Sequence, residues 1–151
     1  TDLLNYSTIF IGGIDEINEV LDTRFGYSNE DFIEASKQLM LKFPSIEKVF
    51  EKIRTAVNSS WNKIRARMWN GKEFRETKDL DITHIIDRIG TGDAFAAGLI
   101  YGLQHFDDVK SMEFASAASA LKHTYEGDVN FSSVNEVLGI LEGNITGRLN
   151  R

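Results

Sequence analysis

Residues 87–98 read Asp-Arg-Ile-Gly-Thr-Gly-Asp-Ala-Phe-Ala-Ala-Gly. Two features of this string could do chemistry. Gly90 and Gly92 let the backbone turn sharply and come close to a ligand. A helical pattern of small residues follows, and its N-terminus offers unpaired N–H groups and the positive end of a dipole, a setting for an anion. Asp93 then puts a carboxylate at the same place. An anion-binding turn beside a fixed carboxylate suggests phosphate binding next to a general base.

Other chemistries are poorly supported. The Gly-x-x-x-x-Gly-Lys-Ser/Thr pattern of P-loop nucleotide hydrolases is absent, as is a Gly-x-Ser-x-Gly elbow. His84, His105 and His123 are not spaced as metal ligands on one helix. The chain has no cysteine, which removes disulfides, thiolate zinc sites and cysteine nucleophiles. Its 151 residues suffice for one domain, and 42% hydrophobic with 26% charged residues fits a globular protein. The net charge of −6 argues against nucleic acid or an anionic membrane as a bulk partner. A local phosphate site survives that argument, because backbone N–H groups can build it. No run reaches the length of a membrane span and no signal-peptide pattern stands at the start, so the expected location is the cytoplasm. The chain opens on Thr1 and enters a strand-like stretch almost at once, as if an N-terminal part preceded it.

The elements that must position the turn read as an α/β pattern. Ser7-Thr8-Ile9-Phe10-Ile11 is a short buried strand, ended by Gly12-Gly13. A helix over 14–21 carries Asp15 and Glu16 in its first turn, where the dipole favours acids. Ser28 caps a helix over 29–42, with Pro44 just past its end. Strands follow over 47–55 and 61–69. In the second, Ile64, Ala66 and Met68 alternate with Lys63, Arg65 and Arg67, which read as a solvated face. Asn70-Gly71 predicts a hairpin turn. After the apolar run 82–86 and the Gly-Thr-Gly turn, a helix runs from 91 to about 104 with Ala94, Ala97, Gly98, Tyr101 and Gly102 along one side. The next helix, 109–122, is equally rich in small residues. Either a tightly packed helix pair or a flat ligand against that face would account for the pattern. Residues 125–128 read as a loop, Ser133 with Glu136 forms a capping box for a last helix, and the tail 143–151 reads as mobile.

The whole string from Asp87 to Gly98 resembles the second signature of the PfkB, or ribokinase-like, family of carbohydrate kinases. Within that family the chain is most similar to 2-keto-3-deoxygluconate kinases. Asp87-Arg88 before the turn carries the similarity, as do Ala120-Leu121-Lys122-His123-Thr124 with Gly127-Asp128, and the ending Gly147-Arg148-Leu149-Asn150-Arg151. Arg54, Ser60, Asn62 and Ala66 follow the spacing of a further segment more loosely. The resemblance implies the C-terminal part of a three-layer α/β/α fold, with a mostly parallel sheet and an antiparallel hairpin. The sugar-binding part and lid would lie in an N-terminal half that has no counterpart here.

By the same resemblance, Asp93 is the base that activates the acceptor hydroxyl, and Gly90, Thr91 and Gly92 form with it the anion hole. Ser116, Ala117, Ala120 and Gly127 would border the adenine. Asp87 and Glu16 would belong to the metal or phosphate network. The reactants implied are ATP, with Mg2+ held largely by its phosphates and with room for a monovalent cation, and a sugar or sugar acid. 2-Keto-3-deoxygluconate is the leading acceptor; fructokinase or another PfkB sugar kinase is the alternative, as is a truncated nucleotide-binding module inactive alone. No nucleic acid or membrane is expected as partner, and the absent lid could mediate a homo-oligomer. The chain departs from the family at two points. Gly13-Ile14-Asp15-Glu16 keeps the glutamate of an Asn-x-x-Glu motif, whose residues organise magnesium and its waters, but has glycine for asparagine. Thr55-Ala56-Val57-Asn58-Ser59-Ser60 stands where a Thr-x-Gly-x-x-Gly nucleotide loop is usual.

Overall fold

The computed structural model describes residues 2–58 and 61–143, so Ser60 and the ending 147–151 lie outside the described residues. The chain divides into two compact units, Thr1–Ile53 with Ala66–Glu76, and Arg54–Arg65 with Thr77–Arg151.

The first unit begins with a 3-10 turn, Asp2–Tyr6, then strand β1, Ile9–Ile11. Helices α1, Ile14–Leu21, and α2, Asn29–Lys42, lead to β2, Lys48–Ala56. Two helices of connection let β2 return parallel to β1, with Ile9 opposite Lys48 and Ile11 opposite Phe50. Strand β3, Asn62–Trp69, turns at Asn70-Gly71 into β4, Phe74–Glu76, and the two pair antiparallel. The Asn70 side chain accepts the N–H groups of Lys72 and Glu73 at 3.0 and 2.8 Å, and Gly71 takes a positive φ of 85°. The strand order is β1-β2-β3-β4. Phe32, Ala35 and Leu39 of α2, with Phe43 just past its end, are buried in one cluster with Phe10, Ile14, Ile17 and Val49. Ser28 caps α2, accepting the Asp31 N–H at 3.0 Å while Asp31 accepts the Ser28 N–H at 3.2 Å.

Two expectations fail in this unit. The first strand is not buried throughout: Phe10 alone faces the core, while alternation puts Ile9 and Ile11 on the opposite face, each 38% exposed. Arg67 is not on a solvated strand face; it is 1% exposed. Its Nε donates to Glu51 Oε2 on β2 at 2.6 Å. Alternation along the strand sets the direction of a side chain, but burial is decided by what covers that face. Here the covering is the 27–29 segment and Phe32, and the cation is admitted because a carboxylate meets it.

The second unit pairs β5, Leu80–Ile82, antiparallel with the first part of β3, Ile82 opposite Asn62. Of the apolar run 82–86, only Ile82 joins a strand. The N–H groups of Ile86 and Asp87 go instead to the carbonyl of His123, at 2.7 and 3.2 Å. Three helices follow: α3, Thr91–His105, α4, Asp108–Lys122, and α5, Val134–Leu141. The capping box predicted at Ser133 and Glu136 is present in both directions.

Gly98 and Gly102 let α3 pack closely on α4. A Cβ on Gly98 would meet Ala115 Cα and Ala118 Cβ, each at 3.0 Å. One on Gly102 would meet Ser111 Cα at 2.8 Å. Ser111 is further fixed, its Oγ donating to the Asp107 carbonyl at 2.6 Å. Gly102→Ala should regain about 1 kcal/mol of helix propensity but force apart two packed backbones at a cost of about 1–3 kcal/mol. Urea unfolding is therefore expected to show a net loss of about 1 kcal/mol for Gly102→Ala, and less for Gly98→Ala.

Candidate active site

The turn that opens α3 is built from both ends by backbone contacts. Gly90 is its N-cap, at φ 74° and ψ 2°. A Cβ there would collide with the Asp128 carbonyl oxygen, so glycine is required by conformation and by space together. Thr91 is buried; its Oγ1 donates to the Arg88 carbonyl at 3.0 Å, and its own carbonyl accepts Ser119 Oγ of α4 at 2.8 Å. The first intrahelical bond runs from the Ala94 N–H to the Gly90 carbonyl at 2.9 Å. Helix geometry leaves the N–H groups of the first turn, where Gly92 and Asp93 lie, without intrahelical acceptors. Among the described residues, apart from its chain neighbours and the backbone of its own helix, nothing stands within 4 Å of where a Gly92 Cβ would be, so that flank of the turn is open.

Asp87 ties the turn to the loop beyond α4. Its Oδ1 accepts the Ile89 N–H at 3.0 Å and its Oδ2 the Gly127 N–H at 2.9 Å. These bonds, that of Ile89 first and Gly127 next, hold the carboxyl below the usual carboxylate range. Gly127 sits at φ 84°, a conformation that suits glycine. Lys122, fully buried, donates from Nζ to the Tyr125 carbonyl at 3.2 Å and closes the same loop.

An open groove of about 410 Å³ runs from this turn along α3. Gly90 and the exposed carboxylate of Asp93 stand at one end. Asp128, Asn130 and Ser132 supply polar groups, while Tyr101, Phe114 and Val137 supply an apolar wall. Of the residues predicted for the nucleotide, none of Ser116, Ala117, Ala120 and Gly127 lines this groove. Ala117 packs against Phe114 and Val137, and Ala120 against Ile64 and Ile82. Ser116 is 3% exposed, and its Oγ has no hydrogen-bond partner among the described residues. Asn62, also fully buried, has both amide atoms without a partner there. Buried polar groups are normally satisfied, so water or a ligand is called for at both. Among the described residues no group of three acidic, histidine or cysteine side chains could hold a metal ion. Glu16 belongs to the first unit, where one of its oxygens accepts the Gly13 N–H at 2.8 Å.

The sequence reading missed Asp128, Asn130 and Ser132. The signal available was Gly127, which marks a tight turn, but nothing local says that the Asp128 carbonyl packs on Gly90.

Residues 1–135 match the profile of the pfkB family carbohydrate kinases. The chain belongs to this family. Comparison with curated protein sequences gives no match. Among solved structures, 2-dehydro-3-deoxygluconokinase from Thermotoga maritima is 30% identical with a TM-score of 0.83, over 94% of this chain and 43% of that one. A provisionally named 2-keto-3-deoxygluconate kinase from Enterococcus faecalis is 24% identical with a TM-score of 0.84, over 98% of this chain and 44% of that one. A provisionally named ribokinase II from E. coli, solved with ATP and Mg2+, is 18% identical with a TM-score of 0.70, over 93% and 41%. The chain thus spans less than half the length of each. No helix among the described residues is long and apolar enough to cross a membrane.

The folded Asp87 carboxyl lies below its unfolded value, so its stabilising contribution is complete above the unfolded pKa of about 3.9 and is lost as pH falls through the lower folded value. Thermal unfolding should therefore show Asp87→Asn less stable than the parent at pH 7. The gap should shrink as pH is lowered from about 4 toward 2.

Proposed function

We propose that this chain carries the catalytic turn of an ATP-dependent kinase acting on a sugar or sugar-acid hydroxyl, with 2-keto-3-deoxygluconate, phosphorylated at its terminal hydroxyl, as the favoured acceptor. The observation that carries the reading is the α3 turn. Gly90 is locked in the left-handed region against Asp128, Gly92 leaves one flank open, and the exposed Asp93 carboxylate stands in the same helical turn. In the reaction Asp93 accepts the proton of the acceptor hydroxyl. The hydroxyl oxygen then bonds to the γ-phosphorus as the bond to the β–γ bridging oxygen breaks, and ADP departs. The Gly90–Asp93 N–H groups stabilise the charge that builds on the transferring phosphoryl group. Mg2+, bound mainly through ATP oxygens and waters, would neutralise phosphate charge. Gly92, with its open flank and its N–H in the first turn of α3, fits such a phosphate.

Ser116, Ala117, Ala120 and Gly127 are assigned to the adenine side. Ser116 is the member with hydrogen-bonding capacity to spare. Asp87 is assigned to the phosphate network, with a carboxylate that would also suit a monovalent cation. The acceptor assignment is favoured by the 30% identical Thermotoga maritima enzyme. Fructose kinases are the runner-up within the class. A nucleotide-binding module without transfer activity is the second reading, favoured by Gly13 in place of the motif asparagine. The location proposed is the cytoplasm.

An ATP-consumption screen against ketodeoxygluconate, fructose and ribose tests the acceptor; turnover with fructose alone would replace the leading assignment. The 151-residue chain by itself is expected to bind ATP weakly in calorimetry and to leave sugar unphosphorylated. In a kinase-active form of the protein, Asp93→Asn should lower kcat by about 10²–10⁴-fold with ATP affinity unchanged. Near-normal turnover would remove Asp93 from the role of base.

A further inference from the structure

The turn proposed to receive a phosphate is ringed by acid. Asp87, Asp93 and Asp128 stand at it, all within the second unit, and the last two are exposed. The first turn of α3 offers roughly half a positive charge from its dipole. Arg88 is the one basic side chain from 86 to 98, and it is exposed, so water and salt screen it. These contributions alone leave the turn negative, a poor setting for a polyphosphate.

A further positive charge lies out of solvent at the end of α4. Lys122, the last residue of that helix, is 0% exposed. Its Nζ donates to the Tyr125 carbonyl at 3.2 Å, a neutral acceptor that leaves the ammonium charge in place. Lysine is almost never fully buried without a counter-charge, and a buried charge is screened much less than an exposed one. The end of α4 lies against the segment that leads into the turn. The carbonyl of His123 accepts the N–H groups of Ile86 and Asp87 at 2.7 and 3.2 Å. Asp87 is the carboxylate on which the lysine acts. The bonds from Ile89 and Gly127 hold its carboxyl below the usual range, and the Lys122 charge works in the same direction. A neutral donor at residue 122 would serve the Tyr125 carbonyl as well. What the charge adds is an offset to one of three carboxylates, made from inside the unit and without filling the open flank at Gly92.

We infer that Lys122 is a positioning residue whose buried charge offsets Asp87 and so makes the α3 turn receptive to a polyphosphate. The inference rests on the kinase reading only in taking this turn as the phosphate site. Its test is the binding of inorganic tripolyphosphate by the whole chain, read by calorimetry beside thermal unfolding. Lys122→Met keeps the apolar stem, removes the charge, and is expected to bind tripolyphosphate about tenfold more weakly. Lys122→Met/Asp87→Asn removes both charges and should return to within about threefold of the parent, a recovery that a merely structural role would not give. Lys122→Gln keeps a donor for the Tyr125 carbonyl without the charge. It should lose as much as Lys122→Met, and it decides the question if the methionine variants fail to fold. A folded Lys122→Met or Lys122→Gln with parental affinity would overturn the inference. So would a folded Lys122→Met/Asp87→Asn weaker than Lys122→Met, or a parent that binds no tripolyphosphate. Binding that depends on Lys122, in a kinase screen that yields no transfer to any sugar, would refute the kinase reading and leave the inference standing.

Discussion

The second unit depends on a backbone-to-backbone fit, the Gly90 Cα against the Asp128 carbonyl. Any side chain at residue 90 would be expelled twice, by a positive φ and by that oxygen. The fit brings the loop after α4 onto the cap of α3. Asp87 then spans the same two segments with one oxygen on each, Ile89 N–H on one side and Gly127 N–H on the other. Because the contact is made by main chain, the position of the first helical turn does not rely on rotamers. Electrostatic preorganisation needs that kind of support: donors aimed at developing charge help most when they do not have to move.

The close approach of α3 and α4 follows from the same economy of atoms. Gly98 and Gly102 are one turn apart and both face α4, so the helices meet at Ala115, Ala118 and Ser111 with no side chain between. A helix pair packed this tightly has little freedom to slide. Ser119 adds a directional contact, its hydroxyl on the Thr91 carbonyl in the first turn of α3. The cap of α3 is thereby referred to α4 as well as to the loop that follows it.

Much of this was legible along the chain. The strand–turn–helix units, the caps at Ser28 and Ser133, the Asn70-Gly71 hairpin and the Gly-Thr-Gly-Asp turn are set by neighbours in sequence, and they lie where those neighbours put them. The alternation in β3 also held for Ile64, Ala66 and Met68. It failed for Arg67 because the partner that makes its burial tolerable, Glu51, is on a different strand. It was silent on Asp128, whose role is played by a carbonyl oxygen that every residue possesses. Two small-residue helices were equally compatible with a ligand face and a helix contact; Gly98 and Gly102 meet α4, while Ala94, Ala97 and Gly98 also line the groove. Local chemistry is written in residue types; convergence of distant backbone is not.

Burial along α4 has a kinetic consequence. Ser111, Met112 and every residue from Phe114 to Lys122 are buried, so this helix has almost no face from which water can enter. Exposed helices exchange their amide hydrogens by fraying and local opening, whereas a helix enclosed on all sides exchanges only when its surroundings separate. The α4 amides should then report the free energy of opening the whole second unit. The short α5, with only Val137 buried, should report local opening at far lower free energy.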